Sequence, residues 1–237
     1  MAIIKKGKID NLSGRLGRIV LKKFNGKNIA SIRAEKYKRT KCPKARKVRD
    51  RFGDISKFAK YINRDSTLKS IWKNSSIEGF SAFHKIMSIN SLLSSNKQLS
   101  EANIIVPETI PLSVLNLTLN PQVLSIIIDK LNDQISNVDL QNITFQYIFV
   151  FKNCQDQNKS PLKIQCSQLF LTEPDINKEI ELSLNLDGNF KVLTDLYSDL
   201  ILYMTLIYQI KSEENPRWFS TYAKSFKLMN NSELPLI

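Results

Sequence analysis

His84 is the only histidine in this chain, which narrows the chemistry open to it. A lone imidazole can act as a general base or as one metal ligand, but either job needs an oriented partner. His84 sits beside Phe83 on a stretch with helical periodicity, with no Asp, Glu or Cys at ligand spacing. It reads as a packed or surface helix residue. Ser-His-Asp and Cys-His arrangements would have to rest on this one ring, and no surrounding motif supports either. Cys42, Cys154 and Cys166 are odd in number and scattered, which fits neither a disulfide framework nor a four-ligand zinc site. Cys154 and Cys166 flank a turn region containing Pro161 and could lie near each other; buried thiols are the expectation. The acids are dispersed and form no short magnesium- or calcium-binding motif. Ser13-Gly14-Arg15-Leu16-Gly17-Arg18 looks superficially like a phosphate loop. It lacks the Gly-Lys-Ser/Thr ending, and the residues after it are strand-like rather than a helix N-terminus. No catalytic residue, metal or cofactor is expected, and the chain reads as non-enzymatic.

Charge is the stronger signal. The chain carries 35 Lys and Arg against 22 Asp and Glu, a net of +13. Residues 1–60 hold 20 of the basic groups and four acids, a net of +16, whereas residues 98–237 come to −6. A basic head on a mildly acidic body implies a polyanion or an acidic protein surface as partner. Four of the seven glycines (Gly7, Gly14, Gly17, Gly26) fall inside the basic head, so tight turns are expected there.

Three segments carry these groups. Residues 1–42 read as a basic β-hairpin and arm: Arg18–Phe24 and Lys27–Arg33 flank Asn25-Gly26, the pair that a type I′ turn favours. Phe24 and Ile29 are expected to pair across it. Two strands alone are marginal in water, so the hairpin should lean on another element or another chain. Residues 43–97 read as helical. A helix begins near Pro43 and presents Val48, Phe52, Ile55, Phe58, Ala59 and Ile62 on one face. A second helix covers about Ser66 to Trp72, and a third contains Phe80, Phe83, Ile86, Met87, Asn90 and Leu93. Ser94 to Glu101 reads as a polar linker. Residues 98–237 change to a two-residue period, with Leu115, Leu117 and Leu119 and again Ile180, Leu182, Leu184 and Leu186 alternating with polar residues. Ile143–Phe151 and Leu200–Ile210 are more apolar, as central strands would be. Asp187-Gly188 is one of several turn signals. The fold class is therefore α+β: an N-terminal basic hairpin and helices, then a C-terminal antiparallel β-sandwich of about seven strands. A flattened or open barrel is the alternative. Leu200–Ile210 is about half the roughly 20 residues a membrane helix needs, so no membrane is expected and a cytoplasmic or virion-associated location is.

The spacing Gly7, Ser13-Gly14-x-x-Gly17-x-x-Val20, Gly26, Arg33 resembles the opening of an uncharacterised family of Bacteroidota proteins, a domain of unknown function. Arg49 and Phe52 match that family's helix start, while Cys42 and Ala45 stand where it has Thr and Gln. Phe80-Ser-Ala-Phe83 through Asn90, and Ser220-Thr-Tyr222, resemble later parts of it. The resemblance implies a basic hairpin and helices ahead of a β-sandwich, with no known activity. The plan also looks like that of phage-type structural proteins.

These readings converge on an assembly protein that docks through its basic head onto protein subunits, by an acidic surface or a sheet edge. Lys22, Lys23, Arg33, Lys38, Arg39, Arg46, Arg49 and Arg51 are the candidate contacts, with Phe24 and Ile29 as anchors for strand addition. The alternative is a sequence-nonspecific nucleic-acid binder that uses the same basic residues on phosphates.

Overall fold

The computed structural model describes residues 2–4, 14–24, 27–32, 42–94, 98–120, 122–131, 135, 140–156, 158–172, 175–210 and 215–228. The Asn25-Gly26 turn, Arg33, Lys38, Arg39 and Glu213-Glu214 lie outside the described residues. The chain divides into two compact units, Met1–Arg46 and Lys47–Ile237.

The first unit is a four-stranded antiparallel sheet ordered β1-β4-β3-β2, from β1 (Ala2–Ile4), β2 (Gly14–Leu16), β3 (Ile19–Phe24) and β4 (Lys27–Ile32). The hairpin therefore leans on strands of its own chain, one on each side. β2 and β3 join through Gly17-Arg18, with Gly17 at φ +56°. Arg18 is not in the positive-φ region. A glycine at the first central position is what a two-residue type II′ turn requires.

The second unit is built on a central sheet of long strands: β7 (Leu140–Cys154), β8 (Leu162–Thr172) and β10 (Tyr197–Ile210). β10 pairs with β7, which pairs with β8. On its other side β10 takes β11 (Arg217–Trp218) and β12 (Tyr222–Lys227). A second sheet of β5 (Val114–Leu119), β6 (Val123–Ile128) and β9 (Ile180–Asn185) runs in the order β5-β6-β9. Alternation decides which residues face which layer. Phe145, Tyr147, Phe149 and Phe151 of β7 and Leu200, Leu202, Met204 and Leu206 of β10 pack with Leu117, Leu124, Ile126 and Leu182 of the smaller sheet. That contact makes the sandwich. The intervening residues, Ile148 and Val150 of β7 and Ile201, Tyr203 and Ile207 of β10, are buried against helices.

Those helices are α1 (Pro43–Arg64), α2 (Ser66–Asn74) and α3 (Ala82–Leu93). Proline opens α1, where its missing N–H removes no bond. Asp65 caps α2, accepting the Leu68 N–H at 2.8 Å, and Ser81 caps α3. Ile55, Phe58, Ala59 and Ile62 of α1 are buried at the expected spacing, but Val48 and Phe52 are 57% and 62% exposed. The apolar stripe is thus longer than the surface that covers it. Ser94 and Leu99, within the segment read as a polar linker, are buried, while Gln98 and Glu101 are exposed and residues 95–97 lie outside the described residues.

Two further expectations are corrected. Asp187-Gly188 is no simple turn: Asp187 accepts the Phe190 N–H at 2.8 Å and caps α4 (Gly188–Leu196), which sends fully buried Phe190 into the sandwich core. Leu115 is 51% exposed rather than inward, because the β5–β6 register shifts between Val114 and Asn116. A bulge of this kind reverses the alternation locally. Among the described residues, no helix is long and apolar enough to cross a membrane.

Because the central sheet is shared by both cores, the second unit should unfold as one. Phe58 is fully buried, with its ring 5.0 Å from that of Tyr203. Phe58→Ala is expected to cost about 3–5 kcal/mol in urea unfolding. In a Trp218→Phe background, tryptophan fluorescence from Trp72 of α2 and β-sheet circular dichroism should keep coincident midpoints. A fluorescence transition that precedes loss of the sheet signal would contradict shared cooperativity.

Candidate interaction surfaces

The hairpin register places the sequence-predicted contacts on β3 and β4. Lys22 stands opposite Ile29, Lys23 opposite Asn28 and Phe24 opposite Lys27. Phe24 and Ile29 are therefore diagonal neighbours and not a cross-strand pair, because a two-residue connection puts residue 24 against residue 27. Lys22 is exposed and Ile29 half-buried. Residues of one parity include Lys22, Val20, Ile29 and Ser31, with Arg15 of β2 opposite Val20. The other parity is apolar away from the turn, where Ile19 stands opposite Ile32 and Leu21 opposite Ala30, which is in turn opposite Ala2 of β1; nearer the turn it carries Lys23 opposite Asn28. Ile32 is 79% exposed and Ile19 42%. In the sequence this exposed apolar pair is masked by the cations around it. The alternation of Ile19, Leu21 and of Ala30, Ile32 is the signal that would have found it.

Arg46, Arg49 and Arg51 lie on α1, and the Arg49 side chain is exposed. The first turn of α1 holds Lys44, Arg46 and Lys47 and no acid. Cations there oppose the helix dipole, at about 0.3–1 kcal/mol each. Helix stability does not account for this arrangement. The exposed Val48 and Phe52 share this end of the helix.

The residues singled out as capable of chemistry lie apart from one another. His84 is exposed; its Nδ1 lies 2.8 Å from the Ser81 hydroxyl, and its ring sits between those of Phe80 and Phe83. Cys42 and Cys166 are exposed and Cys154 is half-buried, all as free thiols. The buried-thiol expectation is thus corrected. So is their proximity: Cys166 stands opposite Ile148, six residues along β7 from Cys154 and about 20 Å away. Among the described residues, no three of His, Cys, Asp and Glu gather closely enough to hold a metal ion.

Sequence reasoning missed two polar clusters. Asn90 is fully buried; its amide donates to the Ile86 and Ile104 carbonyls and its oxygen accepts the Ile104 N–H at 2.9 Å. Asn103 donates to the Asn90 backbone carbonyl and to the Ser94 hydroxyl. This network fastens residues 100–104 to α3. The second cluster centres on Asp199 of β10, flanked across the ladder by Lys152 of β7 and Lys227 of β12. Lys227, Asn153 and Ser198 all donate to its carboxylate. Burial alone would push the Asp199 carboxyl up, but these hydrogen bonds outweigh it and hold it below the ordinary aspartate value. Lys152 is shifted downward, chiefly by burial, and donates to the Leu99 carbonyl at 3.0 Å. With its oxygens engaged by neighbours, Asp199 ties β12 and β7 to β10.

A carboxyl depressed in the folded state contributes stability that is fully present above the unfolded value, about 3.9, and lost as pH falls through the folded one. Asp199→Asn is therefore expected to destabilise the protein at neutral pH and to lose that effect in strongly acidic solution. Urea midpoints across a pH series check this; a deficit that does not depend on pH would contradict the ionised role of Asp199.

No protein-family model matches the chain, and no curated protein matches it. Among solved structures, the third fibronectin III domain of human KIAA0343 protein is similar over 61% of this chain and 99% of its own, at 13% identity and a TM-score of 0.28. A β-glucosidase from Kluyveromyces marxianus, in complex with glucose, is similar over 63% of this chain and 18% of the enzyme, at 11% identity and a TM-score of 0.21. Likenesses at these scores carry no argument about fold or activity.

Proposed function

We propose that this chain is a non-enzymatic assembly protein that docks onto protein subunits through its N-terminal unit, in a setting of the phage structural type. The observation that carries the reading is the exposed Ile19–Ile32 cross-strand pair, next to Leu21 opposite Ala30 at the end of the β3-β4 ladder away from the turn. A solvated sheet face is normally polar, and an apolar one that stays exposed favours a protein partner. The cations carried by β3 and by the opening of α1 add positive charge, which steers an acidic surface toward this part of the chain. The β-sandwich unit supplies the stable body.

One observation favours a second reading. Lys22 shares its parity with positions Arg15 and Lys27, and α1 opens on three cations without an acid. Such a set can neutralise phosphates of nucleic acid in a sequence-independent way.

Titration of the full chain with duplex DNA and with RNA, at low and moderate salt, separates the two. The assembly reading expects no tight nucleic-acid binding. It also expects protein crosslinks from a photoreactive residue placed near Ile32, lost in Ile19→Ser/Ile32→Ser. Tight binding that falls steeply with salt, and that disappears when Lys22, Lys23, Arg49 and Arg51 are neutralised together, would overturn the assembly reading and establish the alternative.

A further inference from the structure

The free edges of the second unit are not alike. β5 is interrupted by a bulge, β9 carries Glu181, β11 has two residues, and β12 carries Lys224 and Lys227. Shortness, bulges and charge are the usual means of keeping a strand edge from pairing with another chain. β8 is neither short nor bulged, and its charge lies at its end. It is 11 residues long and pairs with β7 without a register shift from Leu162 opposite Lys152 to Thr172 opposite Asn142. It contains no proline, and its single charge, Lys163, lies near one end. Phe170 is 60% exposed on it, alongside exposed Cys166 and Gln168. Among the described residues, no strand pairs with its outer edge.

We propose that the β8 edge is a homodimer interface, in which two copies pair antiparallel about a two-fold axis at Ser167 and join their central sheets into one. The occupant follows from length and charge. The other free edges are no longer than the six residues of β5, β9 and β12, and those of the N-terminal unit have three. Only a second β8 can satisfy the exposed backbone along its whole length. Its near-neutrality matters because a two-fold contact brings like surface against like, so a charged edge would repel its own copy. With Ser167 on the axis, Ile164 faces the second copy's Phe170, Gln165 its Leu169, Cys166 its Gln168 and Lys163 its Leu171. The two Lys163 residues are then about 27 Å apart along the strands, well beyond the roughly 8 Å screening length. A two-fold contact of this kind closes on itself and stops at two copies. It is independent of docking through the N-terminal sheet.

Sedimentation of the full chain over a concentration series tests the proposal. The expected result is a monomer–dimer equilibrium weakened at least tenfold by Phe170→Lys, whose ring is already exposed, and unchanged by Ile19→Ser/Ile32→Ser. Disulfide trapping gives a readout that does not depend on how Phe170→Lys folds. In a Cys42→Ser/Cys154→Ser background, Gln168→Cys should oxidise to a linked dimer through Cys166 of the other copy, and adding Cys166→Ser should abolish it. A chain that stays monomeric throughout, a dimer as tight in Phe170→Lys, or failure to trap would each overturn the proposal.

Discussion

The antiparallel pairing of β7 with β10 is the constraint on which the second unit depends. The two strands run together from Tyr197 opposite Cys154 to Ile210 opposite Leu140, and both of their faces are buried. A strand pair that is apolar on both faces cannot stand in water. One face is covered by the β5-β6-β9 sheet, the other by α1, α2 and α3. Each large side chain removed from water on either face contributes about 1.5–3 kcal/mol. Among the polar groups within the pair, Thr205 donates to the Phe219 carbonyl and Gln146 bridges to Asp65 and Gln168, while the buried Tyr147 hydroxyl has no hydrogen-bond partner. Trp72 and Tyr203 reach out of the helical core to the Ile105 and Ser100 carbonyls, at 2.8 and 2.6 Å. The connecting segment 99–106 is thereby held against the helices and delivers the chain to the smaller sheet.

Among the described residues, both core clusters are built from the second unit alone. Charge follows the same division: the positive groups concentrate where the chain makes its small sheet and opens α1, while the strands of the second unit lie in the part that is acidic overall. Cations at a helix N-terminus and isoleucines exposed on a sheet both cost stability or solubility.

Much of this was legible in the sequence because it depends on local rules. The hairpin strands around residues 25 and 26, the opening of α1 at Pro43 and the apolar runs of β7 and β10 all follow from turn chemistry and period. The features that escaped depend on partners distant in sequence. Continuous apolar runs announce burial on both faces but do not say which element covers each, so the sequence does not place the helices as a layer on the central sheet. Asp187-Gly188 carries a turn signal and a helix cap in the same two residues, and only Phe190 inserting into the core decides between them. Asn90 and Asn103 look like surface residues until each becomes the other's partner. Leu115 fails because alternation is broken by a bulge, which leaves no trace in the periodicity. At the candidate surface the cations were conspicuous in composition, whereas the exposed Ile19–Ile32 pair required the register.

Two kinds of surface thus differ in what they can bind. The N-terminal sheet combines an exposed isoleucine pair with a concentration of positive charge. A second copy would bring the same charge to the same place, so a contact there between like surfaces works against electrostatics, while an acidic partner gains from it. The β8 edge is nearly uncharged and offers unpaired backbone, for which any extended segment is chemically suitable but only another long, unbulged strand is geometrically complete. Charge excludes self-contact where the cations lie, and length favours it where they do not. A chain organised in this way can associate with itself through its body and still leave its basic unit free for a different molecule.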